Sequence, residues 1–327
     1  MASYAETAWE ERPMDFREIR YFVQVANAGS FSLAAKELRV AQPALSRQIR
    51  KLEQELGVDL LVRHGRGVRL TGAGSVLLER SGQMIHFLRQ TGDAVKTSAN
   101  QVSGHIGLGV PPAAGLLLAA PVVRSFQRDF PQVALQVRDG ISNLLQEWLL
   151  DGRIDVAVLY NPPPMEALDS DVILREHMVV VEPPDGTSKS RRIRPQIGTC
   201  RIRDLADMPL IMPSLPHNNR RIVEQAAIQH GVHLRMKLEV DSVALAKAMV
   251  KSGLGCTILA YAAVHAEVQR GELKMRVIER PALMSTVAVA VLRERRTLRL
   301  PNELRRTVVA EVNRLVADGV WRRYAAR

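Results

Sequence analysis

Apolar and polar positions follow a helical rhythm in the first hundred residues of this chain and a strand-and-helix rhythm after them. Ile19, Phe22, Val23 and Ala26 recur on one face of a helix over 15–28, which Gly29 ends. Leu33, Ala34 and Leu38 predict a short second helix over 32–38, and the small Ala34 and Ala35 let it pack closely. A turn at Arg39, Val40 and Ala41 leads to a third helix starting at Gln42-Pro43, where proline's missing N–H would have no helical partner anyway. Leu45, Ile49, Leu52 and Leu56 form its inward stripe, and Gly57 supplies the stop. Residues 74–100 contain no proline and repeat Leu77, Met84, Leu88 and Val95, with Ile85 beside them. A helix of that length, about 40 Å, cannot bury such a stripe by itself.

From Gly104 onward strands alternate with helices. HIGLGV, ALQVRDG, DVAVLY, PLIMP, RMKLEVD, CTILA and TVAVAVL read as strands, VILREHMVVVEPP runs on towards a second lobe, and LKMRVI leads back from it. Helices are expected over 113–129, 142–150, 218–230, 242–252, from 261 to about 270, and 302–318. Such alternation predicts parallel-rich sheets covered by helices on both faces. The return of the chain at its end predicts two lobes joined by crossings near Glu182-Pro183 and Ile278–Pro281. The basic stretch DGTSKSRRIRPQIGTCRIR reads as a surface loop.

The polar positions of the third helix suggest what it does. Gln42, Ser46, Arg47, Arg50 and Lys51 lie opposite the apolar stripe, with no carboxylate before Glu53. A helix fits the major groove of double-stranded DNA, and Gln, Ser and Arg can hydrogen-bond to base edges. In the following RHGRGVR, Arg63, Arg66 and Arg69 surround Gly65 and Gly67, a hairpin tip suited to phosphates or a minor groove. Between Arg39 and Arg69 seven Lys/Arg stand against three acids. The pattern predicts a winged helix-turn-helix; its rival is an amphipathic hairpin with a solvated basic face.

The residues FREIRYFVQVANAGSFSLAAKELRVAQPALSRQIRKLEQELGVDLLVRHGRGVRLTGAG resemble the LysR-type transcriptional regulators, and the similarity extends over nearly the whole chain. The resemblance implies that Gln42, Pro43, Ser46 and Arg47 touch bases or their backbone and that Arg63 and Arg66 serve the wing. It also implies a linker helix that pairs with its twin through Leu77, Met84, Leu88 and Val95, giving a homodimer or homotetramer, with RNA polymerase as a further partner. Two positions depart from the commonest pattern: Ala41 stands where a hydroxyl cap is frequent, and Leu61 where Phe usually packs beneath the wing. The expected fold class is α/β overall. It comprises a loose tail at 1–13, an all-α-rich winged helix-turn-helix at 14–73 and a long linker helix at 74–102. A two-lobed, periplasmic-binding-protein-like effector domain follows at 103–327, with lobe I at 103–181 and 282–327 and lobe II at 182–281.

In open α/β lobes ligands sit beyond the carboxyl ends of strands, at helix N-termini. That places a small-molecule effector among Pro111, Pro112, Ala113, Tyr160, Ser214, His217, Asn218 and Asp241, with Gly140 to Asn143 and Arg220 nearby. Many relatives hold an effector carboxylate with hydroxyls after the first strand, where this chain has PPAAG. GVPPAAGLLLAAPVV, EWLLDGRIDVAVLYNPPP and PSLPHNNRRIVE are also similar to the branch containing nitrogen-assimilation control proteins, some of which act without an inducer. A vestigial cleft is therefore the alternative.

Composition narrows the field. With 45 Lys+Arg against 34 Asp+Glu, the net charge of +11 suits a polyanion partner. Cys200 and Cys256, the only cysteines, imply no disulfide framework and read as inert thiols in a reducing cytoplasm. No apolar run approaches a membrane span, and MASYAETAWEERP lacks a signal peptide's apolar core. An enzyme would need a convergent nucleophile, base and oxyanion donors or a metal cluster. No GxSxG, P-loop or GxGxxG occurs, and His230 and His233 read as a solvated helix end, so neither enzyme nor cofactor is expected. A transport solute-binding protein is opposed by the attached DNA reader.

Overall fold

A computed structural model describes residues 14–64, 67–98, 104–184 and 197–322. The expected tail at 1–13, Arg66 and most of the basic loop lie outside the described residues. The chain divides at Gly92/Asp93 into two compact units.

In the first unit, α1 (Phe16–Ala28) starts with a reciprocal cap. Asp15 accepts the N–H of Arg17, and Glu18 accepts the N–H of Asp15 at 3.0 Å. The second helix, α2 (Phe31–Leu38), starts one residue earlier than expected because Ser30 caps it by accepting the N–H of Leu33. Phe31, Ala34 and Ala35 face inward, while Leu33, expected near one face with Ala34 and Leu38, is 46% exposed. In α3 (Gln42–Leu56) the stripe Leu45, Ile49 and Leu52 is buried and Gly57 ends the helix in the left-handed conformation. The strands β1 (Leu61–His64) and β2 (Gly67–Leu70) pair antiparallel as the wing.

Two contacts fix the base of that wing. Glu53 on α3 accepts the N–H groups of Leu60 and Leu61 at 2.9 and 3.1 Å. The N–H of Val68 donates to the carbonyl of Gly29 at 2.9 Å, an approach so close that a Cβ on Gly67 would lie 2.6 Å from that oxygen. The long helix α4 (Gly72–Ser98) begins two residues before the expected Gly74, where Thr71 accepts the N–H of Gly74 at 2.9 Å.

The second unit realises the expected alternation. Its first lobe holds β3 (Gly104–Val110), α5 (Pro112–Asp129), β4 (Val133–Asp139), α6 (Ser142–Leu150) and β5 (Val156–Tyr160). The long β6 (Leu168–Glu182) leads to β7 (Ile197–Cys200), β8 (Leu210–Met212), α7 (Asn218–Gln229), β9 (Met236–Glu239), α8 (Val243–Lys251) and β10 (Cys256–Ala260). The chain returns through α9 (His265–Gln269), β11 (Lys274–Ile278), β12 (Met284–Leu292) and α10 (Arg299–Ala317). Strand order is β4-β3-β5-β12-β6-β10-β8-β9, with β11 beside β6 and β7 beside β11. β3 runs parallel to β4 and β5, and β8 to β9 and β10; β12 lies antiparallel between β5 and β6. The sheets are thus mixed, because the returning strand closes lobe I in reverse.

In lobe I, Leu118, Val122 and Phe126 of α5 and Leu304, Val308 and Val312 of α10 pack on one face of the sheet. Leu145 and Leu149 of α6 pack on the other, with Ala157, Leu159 and Ala290.

β6 itself makes the passage between lobes. Residues Leu168 to His177 pair with β12, and Met178 onward with β10 and β11. The sequence points to Glu182-Pro183 for this passage because no breaker interrupts VILREHMVVVE. The N–H of Met178 donates to the carbonyl of Leu283 at 2.8 Å, so the outgoing and returning strands meet at the passage. Three further expectations change. Ile197–Cys200, expected in a surface loop, is a strand parallel to β11. LKMRVI is a strand in its own right, paired with β6. The helix expected from 261 is a 3-10 turn, Tyr261–Ala263, followed by the short α9.

Candidate nucleic-acid interface and interlobe cleft

The solvent face of α3 presents Gln42, Pro43, Arg47 and Arg50. Gln42 is steadied by Ser32 on α2, whose hydroxyl donates to its Oε1 at 3.1 Å. Ala41 offers no side-chain cap to α3, so proline alone marks the start.

Two residues expected on this face behave otherwise. Ser46 is only 8% exposed, tucked beside the buried Leu45, and Arg50 donates to its Oγ at 3.4 Å. The Lys51 ammonium reaches back to α1, donating to the buried Glu18 at 2.7 Å and lying 3.0 Å from Glu55. Hydrogen bonds to Glu18 and then Glu55 hold Lys51 protonated well above the usual lysine range. Lys51 thus clamps α3 to α1, a partnership across 33 residues that helical periodicity cannot reveal.

On the wing, Arg63 stands on β1 opposite Val68 and Arg69 is exposed on β2; the side chain of Arg63 lies outside the described residues. Along α4, Leu77 is half-buried against the core of its own unit. Met84 and Leu88 are exposed, and the side chain of Val95 lies outside the described residues.

In the second unit a cleft of about 60 Å³ opens between the lobes, at the N-terminal ends of α5, α6, α7 and α8. Pro111, Pro112, Ala113, Tyr160, His217, Asn218 and Asp241 line it as expected, with Ser142, Asn143 and Arg220. Ser214 is not among the lining residues; its N–H donates to Asp241 Oδ1 at 2.7 Å. Thr257 does line the cleft, and sequence reading missed it because it sits inside β10 with no turn or cap signal around it.

Several lining groups are already occupied. The Tyr160 phenol donates to buried Glu176 at 2.8 Å, while the other Glu176 oxygen accepts the N–H of Ala262 at the same distance. Burial pushes the Glu176 carboxyl up to about 7. Arg220 donates to Glu239, Glu224 and the carbonyl of Pro213 at 2.6, 2.8 and 2.8 Å. Asn218 donates across the cleft to the carbonyl of Tyr160 at 3.1 Å, and Asn161 donates to Asn219 at 2.9 Å and to Ser285 at 2.8 Å. These amides latch lobe II onto lobe I.

Two buried polar atoms of lining residues have no hydrogen-bond partner among the described residues: His217 Nδ1 and Thr257 Oγ1. Burial lowers the His217 pKa, against a smaller opposing pull from Asp241. Among the described residues no group of three or more His, Cys, Asp or Glu could hold a metal ion, and no helix is long and apolar enough to cross a membrane.

These features can be set beside known proteins. Residues 16–75 match the family described as bacterial regulatory helix-turn-helix protein, lysR family, and residues 99–312 match the LysR substrate binding domain. The HTH-type transcriptional regulator BbuR of Bordetella bronchiseptica is 32% identical over 95% of this chain and 94% of its own. The nitrogen assimilation regulatory protein nac of Escherichia coli is 30% identical over 75% of this chain and 78% of its own. The crystal structure of CbnR, a LysR family transcriptional regulator, shares the fold with a TM-score of 0.68 at 22% identity, covering 92% of this chain and 99% of that one. Full-length CbnR complexed with its target DNA gives 0.69 at 23% identity over the same shares. The relatives are transcriptional regulators and not enzymes, and the chain, with its helix-turn-helix unit and its effector-binding domain, belongs with them to the LysR family of DNA-binding transcriptional regulators.

Proposed function

We propose that the chain reads promoter DNA with the exposed face of α3, through Gln42, Pro43, Arg47 and Arg50, while the wing arginines Arg63, Arg66 and Arg69 follow the phosphates or an adjacent groove. The observation that carries this reading is the cationic, carboxylate-free face left once Lys51 and Glu18 have neutralised each other. Residues 14–73 act as the reader, 74–102 as linker and 103–327 as regulatory domain. One reading helix gives little specificity, whereas two related by a twofold axis span half-sites about 34 Å apart. The exposed Met84 and Leu88 of α4 support pairing of two chains, with a tetramer as the larger assembly. The regulator works in the cytoplasm, acts on transcription through RNA polymerase at the promoter, and is tuned by a small molecule in the interlobe cleft. Mapping the bound genomic fragments tests it: a shared motif with twofold symmetry is expected, and random recovery would refute it.

A second reading, regulation without an effector, is favoured by the latch that Asn218 and Asn219 make with Tyr160 and Asn161, which joins the two lobes through the chain's own amides.

A further inference from the structure

The cleft walls limit the chemistry of anything that enters. Among the described lining residues the full charges belong to Arg220 and Asp241. The Arg220 guanidinium is bound by Glu239 and Glu224, and one Asp241 oxygen accepts the N–H of Ser214. His217, held below the ordinary histidine range by burial, is uncharged at neutral pH. An anion would therefore exchange its water for the helix N-termini alone, with no free side-chain cation to pair with and with Asp241 opposing it. An ammonium ion would face the N-terminal ends of α5, α6, α7 and α8, the positive ends of their dipoles.

We propose that the cleft takes a small uncharged molecule that both donates and accepts hydrogen bonds, a short-chain amide or alcohol, rather than a carboxylate; this rests on the effector reading above. The independent observation is the pair of buried, unpartnered polar atoms that two lining residues carry. Thr257, 1% exposed, buries a hydroxyl that can give and take a hydrogen bond, and His217 buries an imidazole nitrogen that does one or the other by tautomer. A carboxylate could accept from Thr257 and from one tautomer of His217 but would bring its charge beside Asp241, whereas an amide or alcohol serves either tautomer without one. The cavity of about 60 Å³, walled by Pro111, Ile141, Met212, Val243 and Leu259, restricts the body to a few carbons.

Three probes of one shape and three charges test this on the full-length chain: propionamide, propionate and propylammonium, titrated calorimetrically near pH 7.5. Propionamide is expected to bind and to raise the unfolding temperature, with propionate and propylammonium at least about tenfold weaker. Thr257→Val removes a hydroxyl that has no partner, so the variant should unfold at the same temperature or higher and bind propionamide about tenfold more weakly. Preferential binding of propionate or propylammonium overturns the inference and leaves the effector reading standing. Unchanged propionamide affinity in Thr257→Val overturns it too, because the cleft is then not the binding site. If none of the three binds while promoter DNA still does, the inference is overturned on its own, and the effector reading is not.

Discussion

The Tyr160 phenol donates a 2.8 Å hydrogen bond to Glu176, joining the end of β5 to the strand that passes between the lobes, and both side chains are buried. The same carboxylate accepts the N–H of Ala262, which follows β10 in lobe II. One buried acid thus ties both lobes together beside their passage.

Its protonation makes stability depend on pH. Burial raises Glu176 from the ordinary 4.5 to about 7, so the folded chain holds a proton that the unfolded chain releases. The resulting stabilisation is complete below pH 4.5 and lost as pH rises through 7, a change of roughly 3 kcal/mol. Half-buried His177, His217 and His265, whose pKa values are lowered, act in the opposite direction, so the effect must be read as a difference. Glu176→Gln, neutral at every pH, should gain in unfolding temperature relative to the parent chain between pH 5 and pH 8. A constant difference across that range would contradict the assignment.

Lys51 and Glu18 predict a separation of stability from DNA contact. Glu18→Ala removes the clamp and half of the reciprocal cap on α1, a loss of at least about 1 kcal/mol that calorimetry of the first transition should detect. Lys51→Met should leave the dependence of DNA affinity on salt unchanged. Were Lys51 a phosphate contact, the slope of log affinity against log salt would fall by about 1.

Gly74 predicts a reversed sign. In an exposed helix Gly→Ala stabilises by about 1 kcal/mol, but here the new Cβ would sit 2.0 Å from the carbonyl oxygen of Leu60. Gly74→Ala should therefore lower the unfolding temperature of the first unit.

The two leucines of α4 should part company. Leu88→Glu is expected to fold and to sediment as a single chain, because the side chain is exposed and available to a partner. Leu77→Glu should lower the unfolding temperature, because Leu77 packs on the core of its own unit. An unchanged mass for Leu88→Glu would remove Leu88 from the proposed pairing seam.

Much of this architecture is legible in short stretches of sequence, where local signals coincide. Gly29, Pro43 and Gly57 mark helix ends by left-handed turns and the missing proline N–H, and these bounds hold within about two residues. What is not legible depends on distant partners. Lys51 looks like one more cation on a basic face until Glu18 folds against it. The Tyr160 hydroxyl, expected in the cleft, turns to Glu176, and Arg220 is neutralised by Glu239 from the far side of a hairpin of elements. The passage within β6 is silent in sequence because a strand can change neighbours without changing conformation. Thr257 differs from its apolar neighbours only by a hydroxyl, so the orphaned atom appears only when the cleft is built around it.

The central claim is that the outward face of α3 recognises a particular duplex. The direct measurement is the affinity of the purified chain for a duplex from its own promoter and for a random one, across a range of salt, repeated with Arg47→Ala. The chain should prefer the promoter clearly, lose affinity steeply with salt, and in Arg47→Ala lose about 1–3 kcal/mol on the promoter duplex alone. Equal affinity for both duplexes at every salt concentration would contradict it.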